Sequence, residues 1–220
     1  MQYDEFYEKP DGALRERRLR EYCNLFIVPF FPKDKDAKIL DIGCGYGLFL
    51  DACRAGGYQN IFGVDFNATA VEYATNTLGL NNVIRGDAFA YLEGQPDGLF
   101  DVISAVNFVE HVKKERVPSF FSLVAQKLKR GGKFIIEVPN ADSIHGIHTF
   151  FSDMTHEWAY TKPLIIHLMH QAGFGDVQVL PNSIRSNKLI RLAQKVLTKI
   201  VSGDDKLQYS GSVIAVGQKQ

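Results

Sequence analysis

The 220-residue sequence has few cysteines, no excess of either charge and no long apolar run. Each shortage removes a class of protein. Cys23, Cys44 and Cys53 are an odd set without metal-type spacing, which argues against a disulfide framework and fits reduced thiols in the cytoplasm. Lysine plus arginine (25) balances aspartate plus glutamate (25), so the bulk positive charge of a nucleic-acid binder is missing and no nucleic-acid partner is expected. No stretch is long and apolar enough to span a bilayer. The opening MQYDEFYEKPDGALRERRLREY mixes charges where a secretory signal would carry an apolar core. Internal repeats and low-complexity tracts are also absent. A cytoplasmic location is therefore expected, and oligomeric state leaves no signature.

What is present is an alternation of short β-rich runs with amphipathic helical patterns. Strands are expected at AKILDI (37–42), NIFGVDF (60–66), NNVIRGD (81–87), LFDVISAVNF (99–108) and KFIIEVPN (133–140). Helices are expected at 48–56, 68–80 and 115–132, the last with Pro118 in its first turn, cations at its end and a Gly131-Gly132 stop. This alternation implies a parallel sheet with right-handed crossovers. Residues 141–161 break the pattern with weak periodicity and hold three of the six histidines, and long loops in compact domains often carry function. A helix at 162–174, a strand at 175–181, a basic amphipathic helix at 185–203 and a strand at 207–219 complete a sheet of about seven strands, the last pair antiparallel to the rest or at its edge.

The glycine loop after the first strand, DIGCGYGLFLDAC (41–53), suits an anionic or nucleoside ligand. Glycine permits positive φ and close ligand approach, and the next helix begins there with free N–H groups. The dinucleotide fingerprint G-x-G-x-x-G fails because Leu48 stands at its third glycine, and the Gly-Lys-Ser/Thr end of a phosphate-binding P-loop is missing. What remains is Asp41-x-Gly43-x-Gly45-x-Gly47, which resembles motif I of the class I S-adenosylmethionine-dependent methyltransferases. Asp65, at the end of the second strand, can accept hydrogen bonds from two ribose hydroxyls. Asp87 resembles the family's acid near the adenine amino group, and Asn107 its residue beside the methionine part. LKRGGKFIIEVPN resembles the fifth strand and preceding helix, with Arg130 where many members have proline. The resemblance covers residues 37–140. It implies a Rossmann-like, doubly wound α/β fold with a seven-stranded, mostly parallel sheet and helices on both faces. It implies one domain over 1–220: an N-terminal helical lid (1–36), a cofactor-binding core (37–140) and an acceptor side (141–220). The implied cofactor is S-adenosylmethionine, leaving as S-adenosylhomocysteine, held by Asp41, Gly43, Gly45, Gly47, Asp65, Phe66, Asp87, Ala88 and Asn107. Tyr3 and Tyr7 would cover it. Arg17 and Arg18 are candidates for an anionic substrate, though an ordinary solvated helix face explains them better.

Methyl transfer to a hydroxyl gains from a general base, and histidine suits neutral pH. His111, in NFVEHV after the fourth strand, either faces the site with Glu110 or caps the next helix. SDMTHEWAYT (152–161) resembles a D-x-T-H-E-x-x-x-T segment of methyltransferases from bacterial surface-polysaccharide and O-antigen gene clusters. That likeness implies His156 as base, helped by Asp153 or Glu157, acting on a sugar or sugar phosphate. A small-molecule O- or N-methyltransferase, acting on a quinone precursor or natural product, is the alternative, and a catalytically silent cofactor-binding subunit is a third. No Asn/Asp-Pro-Pro-aromatic motif follows the fourth strand, as a base-amino methyltransferase would have. His145-x-x-His148 with Asp153 and His156 offers nitrogen and oxygen ligands, but no cysteine joins them and no metal is expected. His167 and His170 read as surface or packing residues. The 185–203 helix, with Lys188, Arg191, Lys195 and Lys199 on one stripe, packs on the sheet, meets an anionic membrane surface or grips an anionic glycan.

Overall fold

The computed structural model describes residues 9–182 and 210–220. Tyr3, Tyr7 and the 185–203 stripe lie outside them. The chain begins with α1 (Gly12–Tyr22), capped by the Asp11 carboxylate, then a π-helical turn and α2 (Val28–Phe30). There follow β1 (Ile39–Ile42), α3 (Leu48–Ala55), β2 (Ile61–Asp65), α4 (Ala68–Glu72), β3 (Val83–Arg85), α5 (Ala88–Glu93) and β4 (Phe100–Val106). The rest is α6 (Val117–Lys127), β5 (Leu128–Pro139), α7 (Ile144–Phe151), α8 (Lys162–Gln171), β6 (Phe174–Pro181) and β7 (Ser212–Lys219).

The seven strands run in the order β3-β2-β1-β4-β5-β7-β6, and β7 alone is antiparallel, inserted between β5 and β6. The expected doubly wound α/β fold is present. Alternation within each strand feeds two cores. Leu40, Ile42, Ile103, Phe134 and Ile136 face α5, α6 and α8, where Phe89, Phe120 and Phe121 pack. Ile39, Val102 and Ile135 face the α1–α2 segment, α3 and α4, where Phe26, Phe49 and Tyr73 pack. The strand order reverses between β1 and β4, so a crevice opens at their carboxyl ends.

Three local expectations change. The helix expected over 115–132 is a 3-10 turn and α6, and it ends at Lys127. Leu128 is fully buried and pairs with Phe100, which draws the chain into β5 before the double glycine. Lys127 Nζ, donating to the Gln95 carbonyl and to Asp97, fixes that exit. The helix expected over 68–80 is α4 followed by a π-helical turn (Tyr73–Thr77). Within 141–161 the chain forms α7, capped by Ser143, before entering an irregular stretch. At the far edge of the sheet Asn182 N donates to the Ser212 carbonyl (3.1 Å), and Ser210 Oγ donates to that of Asn182 (2.8 Å).

Candidate active site

The glycine loop is built as its spacing demanded. Gly43, Gly45 and Gly47 all have positive φ. At Gly43 a Cβ would run into the Phe108 ring, so the backbone there forms a wall that only glycine can make. Gly47, the N-cap of α3, serves a different purpose: a Cβ would meet Leu80 at 2.7 Å and Ala74 at 2.9 Å, which makes it a packing residue.

Two cavities lie against this loop and share Gly43, Asp65 and Asn107. The larger, of about 340 Å3, is walled by Phe66, Asp87, Ala88, Phe89, Phe108 and His111 among others. Its apolar sides suit a flat heterocycle, and the Arg116 guanidinium stacks 3.6 Å over the Phe89 ring at its edge. The other, of about 150 Å3, holds Asp41, Gly45, Tyr46 and Tyr22. Asp65 stands between them. Its carboxylate accepts from Gly45 N and Asn67 N, both at 2.8 Å, and its burial raises its pKa against those bonds. Asp41 is buried and accepts from Ser104 Oγ at 2.7 Å; burial pushes its carboxyl up to about 7. A buried acid so placed is stabilised by a cationic ligand group. Asn107 has φ 52°, a left-handed backbone unusual for a side-chain-bearing residue, and its N–H is tied to the Glu137 carbonyl at 2.9 Å. Asp87 has a second duty, since its Oδ1 caps α5 by accepting from Ala90 N at 2.9 Å. A nucleoside with an apolar base and a cationic amino-acid tail fits this trough. Eight of the nine expected cofactor residues line it, and Gly47 supports it from behind.

The histidines divide. His111 and His156 come together from segments 45 positions apart, with ring centroids at 4.8 Å. Main-chain bonds from Glu157 N (2.7 Å) and Trp158 N (3.4 Å) to the Glu110 carbonyl clamp the two segments. His156 Nδ1 lies 2.7 Å from the Phe150 carbonyl, which can only accept, so Nδ1 carries the proton. His111 Nδ1 lies 2.9 Å from Thr155 Oγ1, which itself donates to Asp153 Oδ1 at 2.6 Å. With Nδ1 engaged as a donor in each ring, Nε2 is the ring nitrogen left to accept. Burial, then His156, lowers the pKa of His111. Asp153 Oδ2 is 3.8 Å from His156 Nε2. Glu110 is 1% exposed, and burial raises its carboxyl to about 8. The ligand atoms of Glu110, His111 and His156 lie within 4.8 Å of one another. His145 and His148 instead stack on each other along α7, at 6.5 Å. His167 and His170 are exposed on α8, as expected. Arg17 and Arg18 pair with Glu21 on α1, in keeping with a solvated face.

Three contributors carried no sequence signal, Tyr22 and Phe108 in the cavity walls and Ser104 under Asp41, while Thr155, between His111 and Asp153, lies inside the D-x-T-H-E segment without a role having been assigned to it. Each acts through a contact that only folding creates.

Known proteins identify the family. The profile of the methyltransferase domain family matches residues 14–179. The chain belongs to that family. A SAM-dependent methyltransferase from Archaeoglobus fulgidus has a similar structure, with a TM-score of 0.75 and 26% identity over 99% of this chain and 100% of that one. A ribosomal protein L11 methyltransferase of Shewanella denitrificans is 27% identical over 58% of this chain and 41% of its own length. The mitochondrial ubiquinone biosynthesis O-methyltransferase of Schizosaccharomyces pombe is 31% identical over 45% of this chain and 36% of its own. The matches thus span about two fifths of these two curated relatives. As a methyltransferase domain, the chain takes S-adenosylmethionine as its cofactor. No helix among the described residues is long and apolar enough to cross a membrane.

Proposed function

We propose that this methyltransferase transfers a methyl group to a hydroxyl oxygen of a sugar or sugar phosphate in surface-polysaccharide assembly. The observation behind an oxygen acceptor is the pair His111 and His156, whose Nδ1 atoms are engaged and whose Nε2 lone pairs point away from those bonds. S-adenosylmethionine, when bound, supplies a methyl group on a sulfonium that an aligned nucleophile displaces in line. The chain's own part is to hold the nucleoside against the wall that Gly43 and Phe108 form together, to meet its amino-acid tail with Asp41, and to place the acceptor beside His111. A proton leaving the acceptor hydroxyl has an imidazole lone pair to receive it. The sugar class rests on the likeness of residues 152–161 to polysaccharide-cluster enzymes.

The test is a screen of nucleotide sugars, sugar phosphates and phenols with isotopically labelled donor. The expected product is a sugar methyl ether. A methylated amine would overturn the oxygen acceptor. A product with phenols alone would move the acceptor to the quinone-precursor class, which the likeness to the ubiquinone enzyme favours. The reading extends to a lipid-linked acceptor, because Ile144, Ile147, Phe151 and Met154 form an exposed apolar ridge along and just beyond α7. Cosedimentation with anionic vesicles is expected, and Phe151→Asp should abolish it; a chain that never sediments removes the membrane from the reading.

A further inference from the structure

We infer that Glu110, His111 and His156 bind one divalent transition-metal ion of the zinc, manganese and iron class, leaving a coordination position for the acceptor oxygen. Three ligand atoms of the right chemistry already converge within 4.8 Å of one another. Bonds of about 2.0–2.2 Å to nitrogen and oxygen place donor atoms about 3.5 Å apart, so the side chains close on the ion by about 1 Å.

The tautomers are set for coordination. A ligating histidine donates its other ring N–H to a carbonyl or a carboxylate-linked group, which orients the ring and raises the basicity of the ligand nitrogen. His156 does this to the Phe150 carbonyl, and His111 does it to Thr155, which passes the bond on to Asp153. Both rings thus offer Nε2. Glu110 supplies an independent sign. Its Oε2 is buried and has no hydrogen-bond partner among the described residues. No lysine or arginine forms an ion pair with it there. A carboxylate oxygen left so is costly, and a cation removes the cost.

The clamp from Glu157 N and Trp158 N to the Glu110 carbonyl uses only main chain, so the two halves of the site stay together without the ion. Two imidazoles and one carboxylate favour zinc, manganese or iron over magnesium or calcium, which prefer all-oxygen sites. Of the His145, His148, Asp153 and His156 set weighed in the sequence, where no metal was expected, only His156 is among these ligands. An acceptor hydroxyl coordinated to such an ion would have a lowered pKa, so in the metal-loaded chain the ion would take over the activation that the imidazole lone pairs supply in its absence. Only this last role rests on the methyl-transfer reading; binding itself does not.

The test strips the full chain with a chelator, equilibrates it with micromolar zinc or cobalt(II), removes free ion by gel filtration and counts bound metal by mass spectrometry. About one ion per chain is expected, with the cobalt(II) form showing nitrogen-ligand absorption bands. Glu110→Gln and His156→Gln should weaken binding about tenfold to a hundredfold, while His145→Gln/His148→Gln should match the parent. Calorimetry with S-adenosylhomocysteine checks each variant. A parent chain that binds S-adenosylhomocysteine but retains less than about a tenth of an ion overturns the inference, and so does full retention by Glu110→Gln. Failure to bind S-adenosylhomocysteine would instead sink the cofactor reading and leave the metal count interpretable.

Discussion

The proposed donor wall and the proposed acceptor wall of this site are built in opposite ways. The donor wall is local. Gly43, Asp65, Asp87 and Asn107 each sit at or just beyond the carboxyl end of one parallel strand, so strand order alone brings them together. The acceptor wall is tertiary. His111 follows β4, His156 lies in the irregular stretch after α7, and they meet only because that stretch docks its main chain on Glu110. A wall set by strand ends should tolerate changes in the loops. A wall set by docking should be sensitive to a single side chain there, yet leave cofactor binding untouched.

Four substitutions separate the walls. His156→Ala should lower kcat by about a hundredfold to ten thousandfold with the Kd for S-adenosylhomocysteine unchanged, read by steady-state kinetics beside calorimetry. If the Kd rises in step with the lost rate, the walls are not independent. Gly43→Val should act on the other wall, weakening S-adenosylhomocysteine on the order of a hundredfold, because its side chain meets Phe108 at a positive φ. Asp41 should give the donor wall a pH dependence. Its carboxyl, held at about 7, is neutral in acid and must ionise to meet an ammonium, so affinity should rise with pH through about 7 and level off above it. Asp41→Asn should flatten that profile in a calorimetric titration. The same shift makes the folded state hold a proton that the unfolded chain releases, so this group's share of stability is full in acid and lost as pH rises through about 7. The smallest effect is expected from Thr155→Val, which cuts the link from His111 to Asp153 and should cost about threefold to tenfold in kcat with no change in Kd.

The same contrast explains what could be read from the sequence. The strands β1, β2, β4 and the second half of β5 are short, mostly apolar and β-branched stretches between turn residues, so they and the acids at their ends were visible along the chain. Asp41, Asp65 and Asn107 lie where the strand pattern put them. The helix α5 left no mark because it is six residues long and its cap, Asp87, reads equally as a ligand. The early end of α6 escaped notice because pairing with Phe100, not the glycines, fixes Leu128. The helix α7 hides its period because Ile144, Ile147 and Phe151 are turned outward rather than into a core. In the acceptor wall, residue types suggested His111 and His156 but not their pairing, since no local pattern encodes a contact across 45 positions. The contacts of Thr155 and of the Phe150 carbonyl, which fix the ring protons, were invisible for the same reason.

One edge of the sheet has a consequence for how such a domain changes over generations. Asn182 and Ser210 are hydrogen-bonded to each other and to Ser212 at the start of β7, so these two positions, 28 apart along the chain, are held together. Lengthening a flexible chain between two positions so held costs little, roughly 0.6 kcal/mol per doubling. Insertion, deletion or exchange of residues 183–209 can therefore leave the register of β6 and β7 intact. Selection can then trade what lies between these positions while the methyl-donor half of the domain is inherited unaltered.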